Sequence, residues 1–356
     1  MDYETHTLTT DELESWYEWF EEIDETGPYH TPEYVELMET FEQGGERAEL
    51  FVLDTGSEFV YYPYLVRSLD RLSFVDDSTV DFSEFHDIVS SWYYGGPLLS
   101  GGESDTIQLS KMFTTAYTEY CAKTGIVAEF VRFDPNLSNH KTFGCLGTTF
   151  DRETIPVDLT QSVDKIWEGF EGRNQRAIKQ ARDTDLEVTP SDDPADIAAF
   201  HEIYANAMEA RDASAHYQFD SSFFKQILDM DLFTLIVASY HDEVVGGFII
   251  AHDDYTAHHY LSASNPDYWD MRVNNLIFYT SLIEMRNRGL EIFDFQGGRP
   301  GVFRFKKGFS PDRREFHVGK RIHLPEVYEQ LIKEAERAGI DTSGGYFPAY
   351  RVATSN

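Results

Sequence analysis

The chain of 356 residues is 41% hydrophobic and 15% aromatic, which predicts about two well-packed domains and excludes an intrinsically disordered protein. Its 63 acidic and 29 basic residues give a net charge of −34, which argues against DNA as a partner. The two cysteines, Cys121 and Cys145, are too few for a disulfide framework or a cysteine-based zinc pattern.

The first half of the chain predicts a β-hairpin, a long helix and a further strand. The strands are expected at 48–54, 59–66 and 127–133, and the helix, with apolar residues at spacings of three and four, at 109–120. Between the hairpin and the helix, Tyr94-Gly95-Gly96-Pro97 is typical of a rigid turn.

The second half repeats this order, so the sequence predicts one architecture twice. Its strands are expected at 235–239, 244–250, 256–261 and 292–295, with a helix at 273–288 before the last strand. A connecting helix begins at Asp193 and Pro194, a favourable cap and first turn. We therefore predict an α/β (α+β) fold with domains at 1–155 and 156–325, followed by a C-terminal helix and loosely docked tail at 326–356.

A helix expected near Gln161 carries a basic stripe. Basic residues recur at every third position, namely Arg173, Arg176, Lys179 and Arg182. The stripe is suited to the phosphates of a nucleotide-linked acceptor or of a tRNA acceptor stem. A solvated helix face is the equally open alternative.

The segment from Arg299 to Arg321 is basic within this acidic chain. Its eight basic and two acidic residues give a local charge of 8 − 2 = +6. An anionic ligand is the simplest cause, and it makes Arg304, Lys306 and Lys307 candidates for ligand contact. The alternative is that these cations pair with acids across a domain contact.

Short motifs occur in a characteristic order along the chain. They are Tyr94-Gly95-Gly96-Pro97, Glu129–Phe133 with Pro135 and Asn139, Arg173-x-x-Arg176, Ala215-x-Tyr217-x-Phe219, His259–Ser264, Gly297-Gly298 and Phe305–Ser310. In this order they resemble the FemAB-related transferases, a family of tandem GNAT-fold proteins. The resemblance implies two GNAT-like domains, each a mixed twisted sheet flanked by helices, with acyl or aminoacyl transfer in the second domain.

The resemblance leaves the donor substrate open between an acyl-CoA and an aminoacyl-tRNA. The glycine-containing phosphate loop of coenzyme-A-binding GNAT enzymes is missing, because Asn265–Asp270 follows the third strand. The long helical arm common in tRNA-dependent members is missing between Ile203 and Leu235. The spacing of His, Asp and Glu residues suggests no metal site.

The resemblance places the reaction where two neighbouring parallel strands diverge, in the cleft between His259–Ser262 and Ile292–Phe295. Lys306 matches the family's lysine after phenylalanine, and we expect it to hold a phosphate or to stabilise the tetrahedral oxygen. The alternative is that Lys306 pairs with a carboxylate such as Asp294.

His259 and Tyr260 complete the expected catalytic set with Lys306. His259 is a candidate base, and Tyr260, like Tyr217, is a candidate for positioning the acceptor amine. A structural role in the core is the alternative for each. The expected substrate-binding residues are Tyr94, Gly95, Gly96, Arg132, Arg173, Arg176, Tyr217, Arg304 and Lys307.

The acidity is spread along the length, and only 10 of the basic residues are lysines. This composition favours a halophilic, cytoplasmic protein, because concentrated salt screens the self-repulsion. The acidic start, Met1–Glu4, predicts no secretory signal, and no apolar run reaches the ~20 residues needed for membrane insertion.

Our leading functional expectation is direct N-acyl transfer from an acyl-CoA-type donor. The acceptor would be an amine of a small anionic substrate, namely a sugar nucleotide, a cell-envelope precursor or a related metabolite. One alternative uses aminoacyl-tRNA as the donor. The other is a non-catalytic module that binds an anionic envelope precursor.

Overall fold

The computed structural model describes residues 2–41, 47–75, 78, 80–101, 106–211 and 217–355. The chain forms two compact units, one of residues 1–151 with 316–356 and one of residues 152–315. The second unit therefore ends ten residues before the boundary expected at 325 (325 − 315 = 10), and the segment 326–356 belongs to the first unit.

The first unit is built on a mixed sheet with the strand order β1-β2-β3-β4-β6-β14-β7, in which β5 pairs with β3. The strands are β1 (Glu4–Thr9), β2 (Arg47–Asp54), β3 (Phe59–Ser68), β4 (His86–Val89), β5 (Leu98–Leu99), β6 (Ile126–Arg132), β7 (Thr148–Thr154) and β14 (Arg314–Ile322). The helices are α1 (Leu13–Phe20), α2 (Pro32–Phe41), α3 (Thr106–Lys123) and α10 (Pro325–Arg337). The predicted hairpin, helix and strand are confirmed as β2–β3, α3 and β6.

The tail after α10 is firmly docked, contrary to the loose docking expected from its Gly and Ser content. Tyr350 and Arg351 are buried in the first unit. The Asp87 carboxylate accepts hydrogen bonds from the Arg351 guanidinium at 2.5 Å, from the Tyr350 hydroxyl at 2.9 Å and from Arg67 at 2.7 Å. A buried carboxylate needs such partners, so the tail completes the core around β4.

The second unit has a mixed sheet with the strand order β8-β13-β12-β11-β10-β9. The strands are β8 (Pro156–Asp158), β9 (Leu186–Ser191), β10 (Phe233–Tyr240), β11 (Glu243–His252), β12 (Thr256–Ser264) and β13 (Ile292–Asp294). The helices are α4 (Val163–Glu168), α5 (Gly172–Arg182), α6 (Pro194–Glu209), α7 (Ser221–Leu228), α8 (Val273–Asn287) and α9 (Pro300–Lys306). The strands pair antiparallel except for β12 with β13, which run parallel. The predicted hairpin, third strand, helix and last strand are confirmed as β10–β11, β12, α8 and β13.

The helix expected near Gln161 is in fact two helices, α4 and α5. Between them Phe170 is buried, and the backbone N–H of Glu171 donates to the Gly308 carbonyl at 2.9 Å. The Glu171 N–H thus bonds to a carbonyl far along the chain instead of to a carbonyl four residues earlier, as it would in a continuous helix. The start of α6 is as predicted, because the Asp193 carboxylate caps the Ala195 N–H at 2.8 Å.

The two faces of the second sheet are covered by different helices. Phe248 of β11 packs on Phe278 of α8, with ring centroids 4.8 Å apart. On the other face, Tyr260 of β12 packs near Phe223 of α7. Among the described helices, none is long and apolar enough to cross a membrane.

Candidate active site

The parallel strands of the second unit diverge soon after they meet. β12 and β13 are paired from Thr256 opposite Ile292 to His258 opposite Asp294. β13 ends there, whereas β12 continues to Ser264. The pairing of the two strands therefore ends just before His259.

A β-bulge in β12 sets which side chains face this opening. In the ladder with β11, Ile250 lies opposite His259 but Ile249 lies opposite Leu261, so Tyr260 is the additional residue. One inserted residue shifts the alternation of side chains by one position. His259 and Ser262 therefore reach the same face, where the imidazole Nε2 lies 2.9 Å from the Ser262 hydroxyl oxygen.

Lys306, the last residue of α9, lies behind His259. Its side chain is buried, with 3% of the residue exposed. The Nζ atom is 3.1 Å from His259 Nδ1 and 3.1 Å from the Gly297 carbonyl oxygen. The ring of Phe278 lies 5.6 Å from the imidazole and 5.0 Å from Phe305, so aromatic side chains pack around His259.

Burial makes the Lys306 amine easy to deprotonate. It lowers the pKa of Lys306 to about 7, although the Asp294 carboxylate opposes the shift. Burial also holds the pKa of His259 well below its usual value, with the nearby Lys306 charge acting in the same direction. At neutral pH the imidazole is therefore uncharged, and both protonation states of the amine are accessible.

The surroundings of Lys306 differ from the ion pair with Asp294 that was considered as an alternative role. Within the described part of the chain, its hydrogen-bond partners are an imidazole and a carbonyl, both uncharged. Asp294, the carboxylate considered as its partner, accepts from the backbone N–H of Gln296 at 2.7 Å and acts on the amine at longer range. Among the described residues, no carboxylate is within hydrogen-bonding distance of the Lys306 amine, and burial makes this amine easier to deprotonate than an ordinary lysine.

This arrangement suits proton transfer. A neutral amine has two N–H groups and one lone pair. If both N–H groups are donated to His259 and Gly297, the lone pair remains to accept a proton. Once protonated, the ammonium has a third N–H for an oxyanion.

Tyr260 does not lie beside Lys306. Its ring is buried on the opposite face of the sheet, 4.9 Å from Phe233 and 6.5 Å from Phe223. The bulge therefore directs Tyr260 into the core, contrary to its expected catalytic role. Tyr217 is 39% exposed, and Ala215 of the same motif lies outside the described residues.

The basic residues near Lys306 are partly engaged with their own chain. Arg173 pairs with Glu171 at 2.7 Å and donates to the Arg304 carbonyl at 2.5 Å. Arg304 itself is exposed and Lys307 is half-buried. These contacts bring the start of α5 and the end of α9 together, so three of the expected substrate-binding cations lie in one region.

The rest of the basic stripe on α5 faces solvent or an aromatic ring. Arg176 is exposed. The Lys179 amine lies 5.8 Å and the Arg182 guanidinium 6.0 Å from the Trp167 ring. The stripe therefore has a stacking partner at its far end.

Gly308 is required by the packing of the Phe305–Ser310 motif. A Cβ atom there would lie 2.7 Å from Asn174 Nδ2, which is itself buried on α5. A larger residue at this position would displace the Asn174 side chain, which gives this glycine of the motif a packing role.

The remaining expected substrate-binding residues belong to the first unit. The Gly95 N–H donates to the Arg132 carbonyl at 2.7 Å, and Gly96 has a φ of 91°. Tyr94 is buried with its ring 5.7 Å from Tyr29, and the Arg132 guanidinium lies 5.1 Å from the Phe130 ring. The Tyr94–Gly96 segment thus returns to pair beside β6, and its glycines serve this backbone geometry.

The basic segment 299–321 is divided between the two units. Arg321 lies in the first unit, where it donates to the Cys145 carbonyl at 2.5 Å and to the Thr118 hydroxyl at 2.9 Å. Arg313 lies in the second unit and donates to the Ser310 carbonyl at 2.9 Å. Some of the basic residues that contribute to the +6 charge therefore bind carbonyl and hydroxyl groups of their own chain. The interpretation of the segment as one ligand-binding surface did not predict these contacts.

Two members of the cluster around Lys306 were not expected from the sequence. Ser262 was missed because strict alternation puts it on the face opposite His259. Gly297 was quoted as part of a motif, but its contribution is a backbone carbonyl, for which a sequence has no signal.

A family model described as an acetyltransferase (GNAT) domain matches residues 172–307. Among solved structures, FemX is 13% identical, with 92% of this chain and 99% of FemX covered at a TM-score of 0.69. No curated protein sequence matches the chain significantly.

Two further structures share the fold. The C-terminal domain of a putative lysylphosphatidylglycerol synthetase from Agrobacterium fabrum is 13% identical, covering 86% of this chain and 92% of that one at a TM-score of 0.51. L-PGS from Bacillus licheniformis is 12% identical, covering 87% and 91% at a TM-score of 0.51. At these low sequence identities, the similar structures show a common fold only. The family model indicates in addition that residues 172–307 form a GNAT-type domain. Most of the second unit therefore matches a GNAT acetyltransferase domain, in a chain whose fold is similar to that of FemX.

Proposed function

We propose that this protein transfers an acyl group from an activated donor to an amine, by direct attack at the opening between β12 and β13. The observation that carries the proposal is the buried Lys306 amine, held by two neutral partners where the strands diverge. Amide formation needs a group that removes a proton from the attacking amine at neutral pH, and a buried lysine meets that need.

The chemical step follows from this arrangement. The acceptor amine attacks the acyl carbonyl, and a C–N bond forms while the carbonyl oxygen becomes an oxyanion. The amine's proton passes to the Lys306–His259 pair, and the resulting ammonium stabilises the oxyanion. The bond to the leaving group then breaks, and the proton returns to that group, which restores neutral Lys306.

The first candidate donor is an acyl-CoA, as the GNAT family match suggests. The second is an aminoacyl-tRNA, favoured by the segment between β12 and α8. There the Asn265 side chain caps the Asp267 N–H at 3.1 Å, and Asp267 and Asp270 place negative charge before α8. Carboxylates at this point would repel the pyrophosphate of coenzyme A. A donor that binds at another part of the domain would not be repelled.

The acceptor is proposed to be an amine on a small anionic molecule. Arg304 and Lys307, with Arg173 and Arg176 on α5, supply cations near the end of α9 for its phosphate or carboxylate groups. Tyr217 remains a proposed contact to that molecule, and Tyr94, Gly95, Gly96 and Arg132 remain proposed substrate-binding residues of the first unit. The likeness to FemX and to a putative lysylphosphatidylglycerol synthetase supports an envelope-related acceptor.

The proposed setting is a salt-rich cytoplasm. The charge of −34 supports this, because excess carboxylates keep a protein hydrated where salt screens their repulsion.

The function is tested with two labelled donors. Acetyl-CoA and a mixture of charged tRNAs are each incubated with the protein in high salt and a panel of amino-sugar nucleotides and amine-bearing envelope precursors. We expect a labelled, base-stable amide with one donor class. Binding of a donor or acceptor without amide formation would instead support the non-catalytic binding module.

A further inference from the structure

Ser262, His259 and Lys306 form a continuous line of hydrogen-bonding groups. The Ser262 oxygen lies 2.9 Å from His259 Nε2, and His259 Nδ1 lies 3.1 Å from Lys306 Nζ. Imidazole can accept on one nitrogen while it donates from the other, so it conducts a proton between its two neighbours.

Burial increases along this line. Ser262 and His259 are half-buried, whereas only 3% of Lys306 is exposed. The amine that titrates at neutral pH is therefore the most enclosed of the three groups. Ser262 and His259 are thus more accessible to a reactant than Lys306 is.

We infer that these residues form a proton relay, in which Ser262 takes the proton from the reacting amine and His259 passes a proton on to Lys306. This inference rests on the proposed transfer function and adds Ser262 to the residues that act in it. The bulge at Tyr260 is what makes the relay possible, since without it Ser262 would face away from His259.

The proton balance is complete within the three residues. Before the step, the Ser262 O–H donates to His259 Nε2, and the Nδ1–H donates to the lone pair of neutral Lys306. As the C–N bond forms, the amine's proton moves to the Ser262 oxygen, the hydroxyl proton moves to Nε2, and the Nδ1 proton moves to Nζ. Afterwards the Lys306 ammonium donates to Nδ1 and the Nε2–H donates to Ser262. The reverse sequence protonates the leaving group.

Two charged or polar groups next to Lys306 are compatible with this cycle. The Gly297 carbonyl only accepts hydrogen bonds, so it orients the amine in both protonation states and does not compete for its lone pair. The Asp294 carboxylate favours the ammonium and so stabilises the end of the relay.

The first test measures the hydroxyl's contribution. Ser262→Ala is expected to lower kcat roughly 10- to 100-fold with little change in KM, because relayed proton transfer is lost while the binding groups remain. Ser262→Thr keeps the hydroxyl and is expected to restore most of the rate. Ser264→Ala, two residues along the same strand, removes a hydroxyl that contacts Trp269 instead and is the matched control.

The second test does not depend on turnover. Nitrogen-15 NMR of the His259 ring is expected to show the Nε2–H tautomer below pH 7, where Lys306 is charged. Above pH 8 the Nδ1–H tautomer is expected to become populated, because a neutral amine accepts better than it donates.

The outcomes separate this inference from the proposed function. An active enzyme whose Ser262→Ala variant keeps the wild-type kcat would overturn the relay and leave the function standing. If no donor supports transfer, the proposed function fails, and the tautomer measurement decides the relay alone. A single His259 tautomer from pH 5 to pH 9 would overturn it.

Discussion

Replacing Lys306 by methionine is expected to slow amide formation roughly 100- to 10,000-fold, the range associated with loss of a general acid–base group. Methionine has a similar length and suits a buried site walled by Phe278 and Phe305. The substitution therefore removes the amine without opening a large cavity. Initial rates with saturating donor and acceptor measure the effect, and circular dichroism in high salt checks the fold.

Two further variants make this result specific. Lys225→Met applies the same change to an exposed lysine of α7 in the same unit and is expected to leave the rate unaltered. Lys306→Arg keeps a positive charge but cannot give up its proton near neutral pH. Lys306→Arg therefore lacks the proton acceptor, and we expect this variant also to form the amide slowly. Near-wild-type activity of Lys306→Met, if folded, would remove Lys306 from the mechanism.

The stability of the wild type relative to Lys306→Met is expected to rise with pH above neutrality. In the folded protein the pKa of Lys306 is lowered to about 7, whereas an unfolded lysine keeps the ordinary value near 10.4. Between these values the unfolded chain binds more protons than the folded one, so the free energy of unfolding increases with pH. Below pH 7 both states are protonated, and the cost of burying the ammonium is fully present.

The expected size of this change is large enough to measure by denaturant unfolding. One proton gives about 1.4 kcal/mol per pH unit, so the difference between wild type and variant should grow by roughly 2–3 kcal/mol from pH 7 to pH 9. Taking the difference between the wild type and the variant cancels the contributions of the other groups, because these titrate alike in both proteins. A difference that stays constant over this range would mean that the lysine is charged inside the fold, with an ordinary pKa.

The elements of both units were predictable because their signals are local. The hairpin β10–β11 and the helix α8 follow from residue alternation and from apolar spacing within a single segment. The cap of α6 at Asp193 is equally local. Such patterns do not depend on which strand lies next to which.

The candidate site was predictable only in part. Lys306 and His259 were expected from their motifs, and the structure brings them into contact. The contribution of Ser262 depends on a bulge at Tyr260, which exists only in the ladder with β11. The same bulge explains why Tyr260 was wrongly assigned to the catalytic set.

Tertiary packing also decided features that composition could not. The tail looked loosely docked because its composition is Gly, Ser and aromatic, yet Tyr350 and Arg351 complete the partners of the buried Asp87. The basic run 299–321 looked like one ligand surface, yet it ends in β14 of the first unit. In both cases the partner residues lie more than a hundred positions away in the sequence.

Direct titration of the lysine amines tests the central claim most sharply. Nitrogen-15 labelling of the lysine side chains, with the Lys306→Met variant to assign the signal, reports each of the 10 lysines separately. The account predicts that the Lys306 signal titrates near pH 7. A Lys306 signal that titrates near the reference lysine value of about 10.4 would contradict it.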